Sequence, residues 1–123
     1  MDASVASIVA SGGAVQMPAF DLEHVGRMAI VTDPQGVPYY VMRGASNKAS
    51  HAFAGDAPRV GHCGWNELVT SDQAAAEAFY TAQFGWEKGD AMDMGPMGKY
   101  QFINHSGVMI GAVMTRAQDG PPP

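Results

Sequence analysis

The stretch CGWNELVT (63–70) holds the side chains with the clearest capacity for chemistry. In an extended conformation successive residues point to opposite sides, so Trp65, Glu67 and Val69 share one face while Asn66, Leu68 and Thr70 share the other. A carboxylate beside an indole has two possible fates. Desolvated by Trp65, Glu67 has a raised pKa and acts as a general acid or base on a bound molecule. Left hydrated, it only accepts hydrogen bonds, from backbone or from an arginine such as Arg27 or Arg43, and this is the commoner fate of such a group. Tyr40 and Met42 alternate in the same way within VPYYVMR (37–43), and Met109 lies in VMIGAVM (108–114). If Leu68 packs beneath a helix, Trp65 and Glu67 face a cavity, joined by Tyr40, Met42 and Met109. Such a lining suits a flat aromatic or apolar ligand with one polar group placed on Glu67, because rings supply contact area and the carboxylate fixes orientation.

Metal chemistry has little to build on in the remaining residues. His24, His51, His62 and His105 fall in turns or in a polar connecting stretch, with no i, i+4 spacing of the kind that puts two imidazoles on one helix face. Cys63 is the single cysteine, which rules out an intrachain disulfide and a cysteine-based zinc site within one chain. It also favours a reducing, cytoplasmic setting, and the acidic start Met1-Asp2-Ala3-Ser4-Val5 lacks the positive charge of an export signal.

These side chains must be positioned by regular elements, and the sequence punctuates them well. Val5, Ile8 and Val9 have helical spacing within DASVASIVAS (2–11), stopped by Gly12-Gly13. AVQMPAF (14–20) reads as a strand in which Pro18 marks an edge or a bulge. RMAIVTD (27–33) and VPYYVMR flank the turn Asp33-Pro34-Gln35-Gly36, as in a hairpin. Residues 44–62 are rich in Gly, Ala, Ser, Asn, Asp and Pro and read as a linker. CGWNELVT then forms a strand, and Thr70-Ser71-Asp72-Gln73 fits a capping box, so a helix begins near Ser71 or Asp72. Its buried side is predicted at Ala75, Ala78, Phe79, Ala82 and Phe84, with Phe79 and Tyr80 as core packing and Gly85 as the stop. WEKGDAMDM, KYQFINH and VMIGAVM follow as three strands, and 116–123, which lacks periodicity, as a disordered tail.

The order helix, glycine, strand, strand, glycine, strand occurs twice. Gly13 and Gly85 have the same separation as Arg27 and Lys99, and Gly36 and Gly107 differ from it by one residue. The second copy has a strand before its helix and the first has none. The predicted fold is therefore α+β, with a partial βαβββ unit at 1–43, the linker at 44–62, a complete unit at 63–115, and a curved mixed sheet around a cavity. An unfilled sheet edge in the first unit invites a second chain, so a homodimer is expected. With 123 residues, 46% hydrophobic and 15% charged, the chain fits one globular protein. A net charge of −5 without a basic cluster argues against nucleic acid, and short apolar runs argue against membrane. A small molecule is the expected partner. Nine methionines fit an adaptable surface or ordinary core filling equally well.

The run WNELVTSDQAAAEAFYTAQFGWE (65–87) resembles the first strand and helix of the vicinal oxygen chelate superfamily, which contains glyoxalase I, bleomycin-resistance proteins and extradiol dioxygenases. GRMAIVTDPQGVPYYVM (26–42) is similar to the last two strands of that unit, joined by a DPxG turn. The likeness covers the chain except linker and tail. Starting in the helix of one unit and ending after a full later one, the chain looks like a segment of a longer multi-unit protein or a rearranged small gene.

That resemblance implies a divalent ion held by a His or Gln early in the first strand of each unit and by a Glu in the last. The first-strand ligand then falls at Trp65, and the last-strand Glu at Tyr40 in one copy and at Gly111 or Ala112 in the other. Indole, glycine and alanine cannot serve, and a phenol that titrates near pH ~10 is a poor substitute for a carboxylate. The expectation is thus no metal and no cofactor, and a small-molecule binding protein of this superfamily. The alternatives are an enzyme (lyase, isomerase or dioxygenase) with an atypical metal site, or a fragment whose pocket is idle.

Overall fold

In a computed structural model that describes residues 1–120, the chain divides into two compact units, Met1–Ala49 and a second beginning at Ser50. The first unit runs α1 (Asp2–Ala10), β1 (Ala14–Leu22), β2 (Gly26–Thr32) and β3 (Pro38–Gly44). Its sheet is antiparallel in the order β1-β2-β3. β1 is an edge strand whose register slips on both sides of Met17, which accommodates Pro18 without a lost central hydrogen bond. Ile8 is the helix residue that is fully buried, against a sheet face that also buries Ala29, Val31 and Val41. Val9, predicted to be buried, is exposed. Arg27 ties α1 to β2 through Asp2 at 3.0–3.1 Å and reaches Asp21 on β1 at 3.0 Å.

The second unit contains β4 (Asn66–Thr70), α2 (Gln73–Phe84), β5 (Glu87–Asp93), a short 3₁₀ turn at Gly95–Met97, β6 (Lys99–His105) and β7 (Val108–Thr115). The sheet order is β4-β7-β6-β5, with β4 parallel to β7 and the other pairs antiparallel. This is the β-α-β-β-β order expected, and the parallel pairing follows from the helical crossover between β4 and the rest. The fold is α+β, with one mixed and one antiparallel sheet.

The start of α2 differs in detail from a capping box. Asp72 is the N-cap, its side chain accepting from Ala75 N–H at 3.0 Å, while Thr70 Oγ1 accepts from Asp72 N–H. Gln73 turns toward the sheet instead, donating to the carbonyls of Lys99 and Val113 and accepting from Thr115 Oγ1. The buried face is Ala76, Phe79 and Tyr80, rotated by about one residue from the predicted stripe, so Ala78 and Ala82 are exposed. A run of alanines gives every face the same apolar signal, and the aromatic residues decide the rotation.

The duplication also needs one adjustment. Gly85 ends α2 in the left-handed conformation (φ 69°), and its counterpart after α1 is Gly12 (φ 95°) rather than Gly13. The strand registers match across the units: Tyr40 pairs with Ile30 as Ala112 pairs with Phe102, and Met28 pairs with Phe20 as Tyr100 pairs with Met92. The predicted strand at 63–70 is shorter, starting at Asn66. Cys63 belongs instead to an isolated parallel bridge with Phe53, so the polar stretch before it is tied down through Ala52 and Ala54. Of the tail, 121–123 lie outside the described residues. Arg116 N–H donates to Thr70 O, prolonging the β4 and β7 contact, and Ala117–Gly120 forms a turn.

Candidate functional site

In the second unit, Ile103, Val113 and Thr70 are buried on the side of the sheet that receives α2. Alternation then sends Glu67, Val69, Ala112, Met114, Tyr100 and Phe102 to the opposite side, with Trp65 just ahead of β4. There a hydrogen-bonded chain forms. Trp65 Nε1 donates to the Tyr100 hydroxyl at 3.0 Å, and that hydroxyl donates to Glu67 Oε2 at 2.7 Å. Phe102 braces both rings edge-on, at 6.1 Å from Trp65 and 5.4 Å from Tyr100. Such T-shaped contacts align a positive ring edge with a negative face and fix ring orientation.

The short O–H···O⁻ distance marks a charge-assisted bond. Burial holds the Tyr100 hydroxyl above its ordinary pKa, and the bond to Glu67 adds to this because it stabilises the protonated phenol; the Trp65 N–H acts in the opposite direction. Tyr100 therefore stays a donor at neutral pH. Trp65 is 40% exposed and Glu67 is exposed, so both present surface for contact.

Sequence reasoning placed Trp65 and Glu67 together, and the structure does so. It also shows how they are linked. Glu67 is exposed, and the link between the indole and the carboxylate runs through Tyr100. Arg27 and Arg43, the other partners considered for Glu67, lie opposite each other on β2 and β3 of the first unit, with Arg27 held by Asp2 and Asp21. Tyr100 was not singled out beforehand. Its signal was the alternation Tyr100, Phe102 within KYQFINH, which only becomes meaningful once β6 is placed in the same sheet as β4. Tyr40 and Met42 lie on β3 of the first unit, opposite Ile30 and Met28, 65% and 49% exposed. Met109 is exposed at the start of β7, opposite Asn104, and takes no part in the hydrogen-bonded chain.

Comparison with known proteins agrees with this architecture. No family model matches the sequence. The chain is 33% identical over 122 residues to the protein named "Putative glyoxylase CFP32" in Mycobacterium tuberculosis, covering 99% of this chain and 45% of that one. It is 35% identical over 89 residues to the anthracycline biosynthesis protein DauV of Streptomyces sp. (strain C5), covering 72% and 31%. A glyoxylase/bleomycin resistance protein/dioxygenase domain from Frankia sp. EAN1pec superimposes with a TM-score of 0.56 at 8% identity, over 95% of this chain and 84% of that one. The chain belongs to the glyoxalase/bleomycin-resistance/dioxygenase superfamily, that is, the vicinal oxygen chelate proteins. It spans less than half the length of the curated relatives it matches.

The superfamily implies a divalent ion, and the side chains here can be tested against it. Register identifies Ala112, paired with Glu67, as the counterpart of Tyr40, so the last-strand position of the second unit carries a methyl group. Gly111 is its neighbour on the other face, where a Cβ would collide with the Asn66 carbonyl. The oxygen donors gathered beside Trp65 are one carboxylate and one phenol, already bonded to each other. Among the described residues no group of three or more His, Cys, Asp and Glu side chains is placed to hold an ion. A four-ligand set of the usual kind does not fit this face.

Proposed function

We propose that this protein is a metal-independent binding protein for flat aromatic small molecules. The observation that carries the reading is the Trp65–Tyr100–Glu67 chain. A carboxylate has about four lone-pair sites, and Tyr100 occupies one of them. The rest can meet an amine or hydroxyl on a ring system that lies against Trp65 and Phe102. Because Tyr100 anchors Glu67, little side-chain entropy remains to be lost on binding. The relative named for anthracycline biosynthesis makes an anthracycline a natural first probe.

Thermal shift with 9-aminoacridine and an anthracycline tests the reading. A ligand at a hundred times its Kd stabilises a native state by about 2.7 kcal/mol, and Trp65→Ala or Glu67→Gln should remove the shift. No stabilisation in the wild-type chain, or one divalent ion per chain by elemental analysis, would overturn it. The second outcome would favour a metal enzyme of the superfamily. Among the described residues β3 pairs with β2 alone within its sheet, whereas its counterpart β7 also pairs with β4. That open edge supports a homodimer as the binding form, and light scattering that returns a monomer at micromolar concentration would refute it.

A further inference from the structure

On the α2 side of the second unit's sheet there is a partly open cavity of about 150 Å³, lined by Leu68, Trp86, Ile103 and Ile110, with Asn66 and Gly111 also in its lining. Glu67 and Ala112 contribute to its wall, although their side chains belong to the opposite face by strand alternation. The cavity is therefore distinct from the aromatic face, with the β4–β7 ladder between them.

Its walls are held in place before any guest arrives. Trp86 stacks on Tyr80 at 4.6 Å and 14°, and its carbonyl accepts from Thr81 Oγ1 at 2.9 Å. Ile103 is buried. The Asn66 side chain in the lining is already committed: its Nδ2 donates to Ile110 O at 3.0 Å, and its Oδ1 accepts from the Cys63 thiol at 3.7 Å. The space is partly open to solvent and its lining is largely apolar, so water there has few polar partners, and an apolar guest that displaces such poorly held water gains affinity. We infer that this cavity is a second, unassigned binding site for a small uncharged apolar group about the size of a benzene ring. The indole of Trp86 offers one flat wall and the branched side chains offer the others. A charged or strongly hydrated ligand would lose solvation without finding a partner.

Xenon is a suitable probe because its binding rests on dispersion and shape alone. The intact chain is titrated with xenon, and the Leu68, Ile103 and Ile110 methyl and Trp86 indole resonances are followed by NMR. Saturable shifts at those positions, with Trp65 and Phe102 unmoved, are expected. Leu68→Phe fills the space and should abolish the saturable component. Ile110→Phe provides the same test should the first variant not fold. Shifts that grow linearly without saturation, or that saturate at Trp65 and Phe102 instead, would overturn the site. The result is independent of the aromatic-ligand reading, since 9-aminoacridine is far too large for this cavity.

Discussion

Tyr100 on β6 bonds to Glu67 on β4 at 2.7 Å although the two strands are not neighbours. β7 lies between them, and two strand spacings amount to about 9.6 Å. The bridge exists because the β7 residue paired with Glu67 is Ala112, whose methyl leaves room for the phenol to cross. Ala112→Leu should therefore break the bond by steric exclusion while leaving both partners in the sequence. Its expected signature is loss of the part of the Tyr100 pKa elevation that Glu67 supplies, the part due to burial remaining, in a spectroscopic titration, together with weaker binding of 9-aminoacridine. Retention of both would mean that the tyrosine reaches Glu67 by another route.

Removing the hydroxyl itself isolates its contribution. Tyr100→Phe keeps the ring contact with Phe102 but deprives Trp65 of an acceptor and Glu67 of a donor. Both lie at the surface where water can substitute, so a cost of about 1 kcal/mol is expected in denaturant unfolding. Affinity for an amine-bearing ring should fall more than stability does, because Glu67 loses its orientation.

Gly111 looked from sequence like a ligand position left empty. The structure gives it a different reason: its Cβ would run into the Asn66 carbonyl across the parallel ladder, so the close approach of β4 and β7 requires glycine. Gly111→Ala should destabilise the second unit by roughly 3 kcal/mol, the upper range for overpacking. A neutral effect in a chemical denaturation series would show that the two strands can separate without cost.

Much of this fold was legible because turn chemistry and alternation are local. Asp33-Pro34-Gln35-Gly36, Gly85 and the β-rich runs lie within a few residues of the boundaries they set, and the elements came out close to their observed spans. The rotation of α2 was not legible, since alanines mark no face, and neither was the true start of β4, since Cys63 pairs with Phe53 in a bridge that local pattern does not encode. The site was half legible. Trp65 and Glu67 sit two apart in one strand, but Tyr100 is 33 residues from Glu67 and reaches it only in the order β4-β7-β6.

The hairpin turn of the first unit offers a cleaner stability test. Asp33 is 2% exposed, and its Oδ1 accepts from the backbone N–H groups of Gln35 and Val37, each at 2.9 Å. Asp33→Ala leaves two donors in the turn without this acceptor and should cost about 2 kcal/mol. Asp33→Asn keeps an oxygen in place and should cost clearly less. Equal losses in the two variants would point to the charge rather than the acceptor.

Alkaline pH should weaken the first unit through Tyr39. Burial, reinforced by the negative charge of Asp33, pushes its phenol up to about 12 from an ordinary value of 10.0. A raised pKa means that the folded chain holds the proton over a range where the unfolded chain has released it. By linkage the stability slope with pH is negative there: the contribution is intact below about pH 10 and is lost progressively as pH climbs toward 12. Tyr100 is raised as well and adds to the same limb. The melting temperature of the wild-type chain should thus fall between pH 10 and 12 more steeply than that of Tyr39→Phe, which carries no ionisable group at that position. Parallel curves for the two would show that Tyr39 ionises as readily in the native state as in the unfolded one.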